Sequence, residues 1–265
     1  MRLSIVGSLI ASLVIILTAA GPSFSASPDA FSTVGAGARA CGLGGAFVAV
    51  ADDETAAYWN PAGLALLESP ALSLTDRVIS IDTNYLVFSG ALPVRGWGSF
   101  GLNLIFHGVD GVQGYDASGE PTGEGNSREM MCSLAYAYKV AGLSVGLGLR
   151  GMYQSISFGE ESSRSWGVGL VLALLCDVTD NLRVGVMARD RMKVRDFEEG
   201  SSYSVETPLS ITSGLYYSVG IGEKHELGFM ADLEQRRGLP LKAHLGTEVS
   251  LYDGSLVCLL YTSDA

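Results

Sequence analysis

From residue 71 onward the side chains alternate with a period of two, and that pattern admits few folds. Phe100, Leu102, Leu104 and Phe106 alternate with Ser99, Gly101, Asn103 and Ile105. The same holds for Leu143, Val145, Leu147 and Leu149 against Ser144, Gly146, Gly148 and Arg150. Leu182, Val184, Val186 and Ala188 alternate with Arg183, Gly185, Met187 and Arg189. Leu227, Phe229, Ala231 and Leu233 alternate with Gly228, Met230, Asp232 and Glu234. Each segment therefore reads as a β-strand with one apolar face and one mixed face.

A soluble β-sandwich would also alternate, so the two all-β readings must be separated on other grounds. Most of these strands run about 9–12 residues, enough for a tilted strand to cross a bilayer, against about 5–6 in soluble sheets. Their apolar faces carry no charge, as hydrocarbon demands. The opposite faces combine charges with Gly101, Gly146, Gly148, Gly185, Gly228 and Gly246. That mixture suits a wet lumen in which a plug backbone comes close to the wall. Closing the sheet also removes the edges that long apolar strands would expose. The fold expected is all-β, a transmembrane antiparallel β-barrel.

Weaker alternation at 71–79, 84–94, 129–139, 165–176, 207–219 and 242–252 brings the count to ten strands and the start of an eleventh. Short joints at Arg95-Gly96, Ala141-Gly142, Thr179-Asp180 and Gly222-Glu223 alternate with longer polar stretches at 108–128, 159–163, 190–204 and 235–238. Barrels in membranes show this alternation of turns and loops. The stretch 108–128 is expected to be a mobile, solvated loop. Trp97, Tyr136, Tyr138, Trp166, Tyr216 and Tyr217 lie near strand ends, where interfacial girdles form.

The two ends read differently from the barrel. Arg2, the apolar run Leu3 to Ala20 and the small residues of Ser23-Phe24-Ser25 form a secretory signal over 1–25. The last residues, 258–265, resemble the translated read-through of a sequencing adapter. On that reading the barrel occupies 70–257 and the chain is a C-terminally truncated fragment. With 17 Lys and Arg against 28 Asp and Glu, the balance argues against a nucleic-acid partner. The four cysteines make no metal-ligand spacing and no disulfide framework.

Residues 26–69 lack strand periodicity and are rich in Gly and Ala. Gly35-Ala36-Gly37-Ala38-Arg39-Ala40 imitates a dinucleotide fingerprint, but no βαβ unit surrounds it. His107, His225 and His244 are too scattered for a metal triad and are expected at strand ends or facing water. No nucleophile–base or paired-carboxylate arrangement stands out, so no catalytic residue, metal or cofactor is expected. Asn60-Pro61 reads as a helix start, with Asn as cap and Pro at the first helical position.

The run Gly37 to Asp53, followed by Ala56-Ala57-Tyr58-Trp59-Asn60-Pro61-Ala62-Gly63-Leu64-Ala65, closely resembles the N-terminal region of the PorV/PorQ family, within the FadL-like superfamily of outer-membrane barrels. The likeness continues from Tyr85 to Leu104, while Cys41 stands where that family usually has an apolar residue. The resemblance implies a barrel of about fourteen strands, some ten or eleven of them present here, with an N-terminal hatch (26–69) inside it. It places Asn60-Pro61-Ala62 in the hatch at the family's Asn-Pro-Ala motif, as a gate element or as a structural cap.

Two functions follow from the resemblance. The first is a hatch-gated channel for hydrophobic small molecules such as fatty acids. Lumen-facing Arg150, Arg183 and Arg189 would then meet carboxylate head groups, or else form ion pairs with Asp232, Glu234 or Glu248. The second is a non-transport component of type IX secretion, binding cargo signal domains. In both readings the protein is exported to the bacterial outer membrane and its first partner is lipid.

Overall fold

A computed structural model of the chain describes residues 30–80, 82–159, 161–189, 193–196, 204–221, 225–251 and 256–264. The predicted signal over 1–25 lies outside these residues. Thirteen strands form one antiparallel sheet. They are β1 (Ala71–Ser80), β2 (Thr83–Val94), β3 (Gly98–Tyr115), β4 (Pro121–Val140), β5 (Leu143–Phe158), β6 (Glu161–Asp177), β7 (Leu182–Arg189), β8 (Lys193–Asp196), β9 (Ser204–Glu206), β10 (Ser210–Ile221), β11 (His225–Arg236), β12 (Lys242–Ser250) and β13 (Leu256–Asp264). The wall follows the chain order from β1 to β7, then β10 to β13. β8 and β9 form a short side ribbon against β6. Every neighbour in the wall is a hairpin partner or the next strand along, the up-and-down topology of a barrel.

The faces follow the sequence period. Leu134, Leu149 and Leu170 are register partners on adjacent strands, and all three point outward and stay exposed. Their chain neighbours Ser133 and Arg150 point inward and are buried. Apolar side chains outside and a mixed face inside are what a wall standing in lipid requires. Among the described residues no helix is long and apolar enough to cross a membrane. The molecule is an antiparallel transmembrane β-barrel fold with an N-terminal hatch inside it.

The expected loops hold more strand than their polarity suggests. The stretch 108–128 is no loop: β3 and β4 stay paired through Val112–Gly125 and Gln113–Glu124, and only a tight turn at 116–119 joins them. A bulge between Val109 and Val112 includes Gly111 at φ 66°, a conformation that suits glycine. The apolar alternation fades there because both faces of the hairpin meet water. Backbone pairing continues without it. The expected loop at 159–163 is likewise mostly strand, since β5 ends at Phe158 and β6 begins at Glu161.

Candidate functional site

The hatch is made of residues that suit neither a long helix nor a strand. Glycines break up 35–45, leaving only a short helix at Ala38–Gly42. A second helix, Ala56–Trp59, leads into a tight 3-10 turn at Pro61–Leu66. Asn60 opens that turn: its side-chain oxygen accepts the Ala62 N–H at 3.0 Å, and Pro61 follows directly. Its side-chain nitrogen donates to the Val48 carbonyl at 2.7 Å and reaches the Leu174 carbonyl of the wall at 3.4 Å. Asn60 thus ties two hatch segments and the wall together. It is fully buried.

Small wall residues let the hatch backbone approach. A Cβ added at Gly146 would lie 2.2 Å from the Ala62 nitrogen, and one at Gly185 would lie 2.4 Å from the Val48 oxygen. Gly246 faces the Leu43 carbonyl, and Gly101 faces Leu64 and Ala57. These four glycines meet the plug as expected, and Gly148 packs near the Pro61 ring at 3.5 Å. Gly228 does not: its nearest neighbours are the side chains of Tyr216 and Met230. At the level of the hatch the lumen is therefore dry and packed. Leu43, Phe47, Val50, Ala57 and Leu64 form one buried cluster with Ala91, Ala135 and Ala137 of the wall.

Two wall carboxylates hold the hatch. Asp232 on β11 accepts the backbone N–H groups of Phe47 and Val48, both at 2.8 Å. Glu248 on β12 receives Arg39 through two bonds of 2.8 Å, the fork geometry that guanidinium and carboxylate share. Arg39 also pairs with Asp52 at 2.5 Å and stacks over the Phe47 ring. Burial would lower the Arg39 pKa, but Glu248 and Asp52 raise it above its ordinary value. Burial pushes the Asp53 carboxyl up, against the pull of the Thr55 O–H and N–H that donate to it.

The loop-side lumen carries a second polar layer. Arg77, Tyr85, His107, Glu129, Gln154 and Ser165 are successive register partners from β1 to β6. His107 bonds Glu129 at 2.6 Å, Gln154 donates to the other Glu129 oxygen, and Tyr85 donates to the Gly35 carbonyl. His107 also stacks on Phe31 of the hatch. His244 bonds the Gly44 carbonyl at 2.8 Å. Both histidines thus touch the hatch where strand ends or water are expected, His107 well inside β3 and His244 near the start of β12; the inward parity of their strands is the available signal. Among the described residues no group of His, Cys, Asp and Glu is placed to hold a metal ion.

Residues 28–184 match uncharacterised protein family UPF0164. The chain belongs to that family. No curated protein matches this UPF0164 chain. Among solved structures it is similar to the Ralstonia pickettii toluene transporter TbuX, at 15% identity and TM-score 0.52, with 89% of this chain and 80% of that one covered. It is also similar to the P. putida toluene transporter TodX, at 13% identity and TM-score 0.52, covering 82% of this chain and 80% of that one. At such identities the likeness is one of fold. It agrees with the β-barrel fold expected from the sequence, and the FadL-like and PorV/PorQ assignments go beyond it.

The three candidate arginines of this UPF0164 chain occupy different settings. Arg189 donates to the Tyr58 carbonyl at 3.3 Å and lies over the Tyr58 ring. Arg150 is buried on the same inward side, 2.7 Å from the Met131 sulfur. Arg150 and Arg189 both act electrostatically on Tyr58, whose phenol burial pushes up. Arg183 stands apart, bonded to Asp177 at 2.6 Å beside the short β6–β7 joint. Of the carboxylates expected as their ion-pair partners, Asp232 takes hatch amides, Glu248 takes Arg39 and Glu234 pairs with Arg236 at 2.7 Å. Of the expected girdle, Trp97, Tyr136, Tyr138, Trp166 and Tyr217 are exposed on the wall. Tyr216 turns inward, packs on the hatch cluster and bonds Glu226.

Proposed function

We propose that this protein is an outer-membrane channel in which the N-terminal hatch gates the passage of hydrophobic small molecules. The observation that carries the reading is the seating of the hatch. Its backbone packs on wall glycines and hangs on Asp232, while its Arg39 side chain is held by Glu248. A plug held this way blocks diffusion yet can be displaced without unfolding the wall. The toluene transporters of like fold give the ligand class its starting point.

In this reading residues 26–69 are the hatch, Asn60-Pro61-Ala62 is its fixed corner, and 1–25 directs export. Arg150 and Arg189, beside Tyr58 of the hatch, are the candidate polar contacts for the head group of a hydrophobic ligand. Arg183 would serve as an ion-paired strand end. The barrel wall of this chain runs from β1 to β13, with Leu256–Asp264 paired to β12. Among the described residues β1 pairs only with β2 and β13 only with β12, and free backbone edges are not tolerated in lipid. No observation favours the alternative of a PorV-like part in type IX secretion.

Uptake of labelled hydrophobic compounds into liposomes carrying the protein tests the channel. Uptake above that of an unrelated, hatch-sealed barrel is expected. Uptake equal to that control would remove the reading.

A further inference from the structure

The lumen wall holds a polar row at a depth where its neighbours are apolar or small. Ser89, Asn103, Ser133 and Arg150 are register partners on β2 to β5, and all four point inward and are buried. The adjacent row on the loop side is Val87, Ile105, Met131 and Met152. The adjacent row on the other side is Ala91, Gly101, Ala135 and Gly148. Asn103 donates from its side-chain nitrogen to the Ser89 hydroxyl at 2.8 Å. Its oxygen and the Ser133 hydroxyl, both on side chains at most 1% exposed, have no hydrogen-bond partner among the described residues. Buried polar atoms in folded proteins are nearly always paired.

The hatch lies directly over this pair. Ala57 meets Gly101 in the row of small residues, and Tyr58 packs with Ile105 and Met131 in the apolar row. Helix Ala56–Trp59 therefore lies across Asn103 and Ser133 without bonding either free atom: the Trp59 N–H goes to the Ala36 carbonyl, and the Tyr58 phenol bonds neither.

We propose that Asn103 and Ser133 form a head-group seat for a neutral, hydroxyl-bearing hydrophobic ligand, an alcohol or phenol, exposed when helix Ala56–Trp59 shifts. This rests on the channel reading and specifies its ligand. A single hydroxyl satisfies both atoms at once: its O–H donates to the Asn103 oxygen, and its oxygen accepts from the Ser133 O–H. A plain hydrocarbon supplies neither bond. A carboxylate has no proton to donate to the Asn103 oxygen. The chain of the ligand would lie along Val87, Ile105, Met131 and Met152.

The test compares decanol, decanoate and decane binding to the full chain in detergent micelles, read from intrinsic fluorescence because Trp59 borders the seat. Decanol is expected to bind about tenfold more tightly than decane, a gain of the size one or two net hydrogen bonds provide. The double variant Asn103→Ala/Ser133→Ala should abolish that difference and leave decane binding unchanged. If the double variant loses the heat-dependent gel shift of a folded barrel, Ser133→Ala alone removes one atom and should weaken decanol binding several-fold. Hydrogen exchange at residues 56–59 should rise with decanol and not with decane. Equal binding of decanol and decane to the unaltered protein, preference for decanoate, or decanol binding indifferent to the substitutions would overturn the proposal. Absent liposome uptake combined with decanol-selective binding would keep the seat and remove the channel.

Discussion

The Asp232 carboxylate accepts the backbone N–H of Val48 at 2.8 Å, a contact between residues 184 apart in the chain. The same oxygen takes the Phe47 N–H, and Gly185 and Gly214 leave room for the Val48–Ala49 peptide and the carboxylate. Val48 is held from its carbonyl as well, through Asn60. The two peptide groups of one hatch residue are thus fixed, one by a wall residue and one by the hatch's own corner. This clamp is where the seating of the plug is most sensitive.

Asp232→Ala should loosen the hatch while leaving the barrel intact. Two buried N–H groups lose a charged acceptor, a loss of about 2–3 kcal/mol. Hydrogen exchange should accelerate at least tenfold, by order of magnitude, across residues 44–51, with the exchange of β3 to β6 unchanged. Unaltered exchange in 44–51 would remove Asp232 from the clamp.

Gly146 and Gly151 lie on one strand and should respond oppositely to the same methyl group. A Cβ at Gly146 runs into the Ala62 nitrogen at 2.2 Å, whereas one at Gly151 meets nothing within 4 Å. Gly146→Ala should cost about 1–3 kcal/mol through overpacking, and Gly151→Ala should be close to neutral. Denaturant unfolding in detergent, followed by the heat-dependent gel shift, reads both.

Glu248 should matter more than Asp52 to the position of Arg39. The Glu248 side chain is 4% exposed and the Asp52 side chain 37% exposed. Glu248→Ala leaves Arg39 half-buried without its fork partner and should cost about 3 kcal/mol, the lower end for breaking a buried pair. Asp52→Ala should cost under about 1 kcal/mol, as exposed pairs do. Equal effects would place the Arg39 interaction mainly in solvent.

Leu149 and Arg150 are neighbours in sequence on opposite faces of the wall. Leu149→Arg puts a charge into the lipid-facing row and should destabilise the barrel by about 2–4 kcal/mol. Arg150 one residue on is carried without that cost because it points inward. A neutral Leu149→Arg would mean that this face meets water.

The faces of the wall were legible because lipid and lumen impose opposite demands on alternate residues. Phe100 to Phe106 and Leu143 to Leu149 show it without ambiguity. The plug is legible from its effect on the wall: Gly146, Gly185 and Gly246 are small because a backbone lies against them, and Gly101 because Leu64 and Ala57 do. Its own shape is not, since residues 30–69 have no period and fold by bonds to distant strands. The Asp232–Val48 and Arg39–Glu248 contacts leave no local trace. The hairpin beyond Val109 was read as a loop for a related reason. Period-two hydrophobicity reports which face is oily, and a ribbon standing in water has no oily face.

The account's central claim, that the hatch is the gate, can be tested by tethering it. Leu43 Cβ lies 3.1 Å and the Leu43 carbonyl oxygen 2.8 Å from where a Gly246 Cβ would stand, so a small outward shift of the hatch both clears the carbonyl and reaches the spacing of about 3.5–4.5 Å that a disulfide needs. In a Cys41→Ser background, Leu43→Cys with Gly246→Cys should form that bond on oxidation. Liposome uptake of a labelled hydrophobic compound should stop when the pair is oxidised and return when it is reduced. Equal uptake in the two states would contradict the claim.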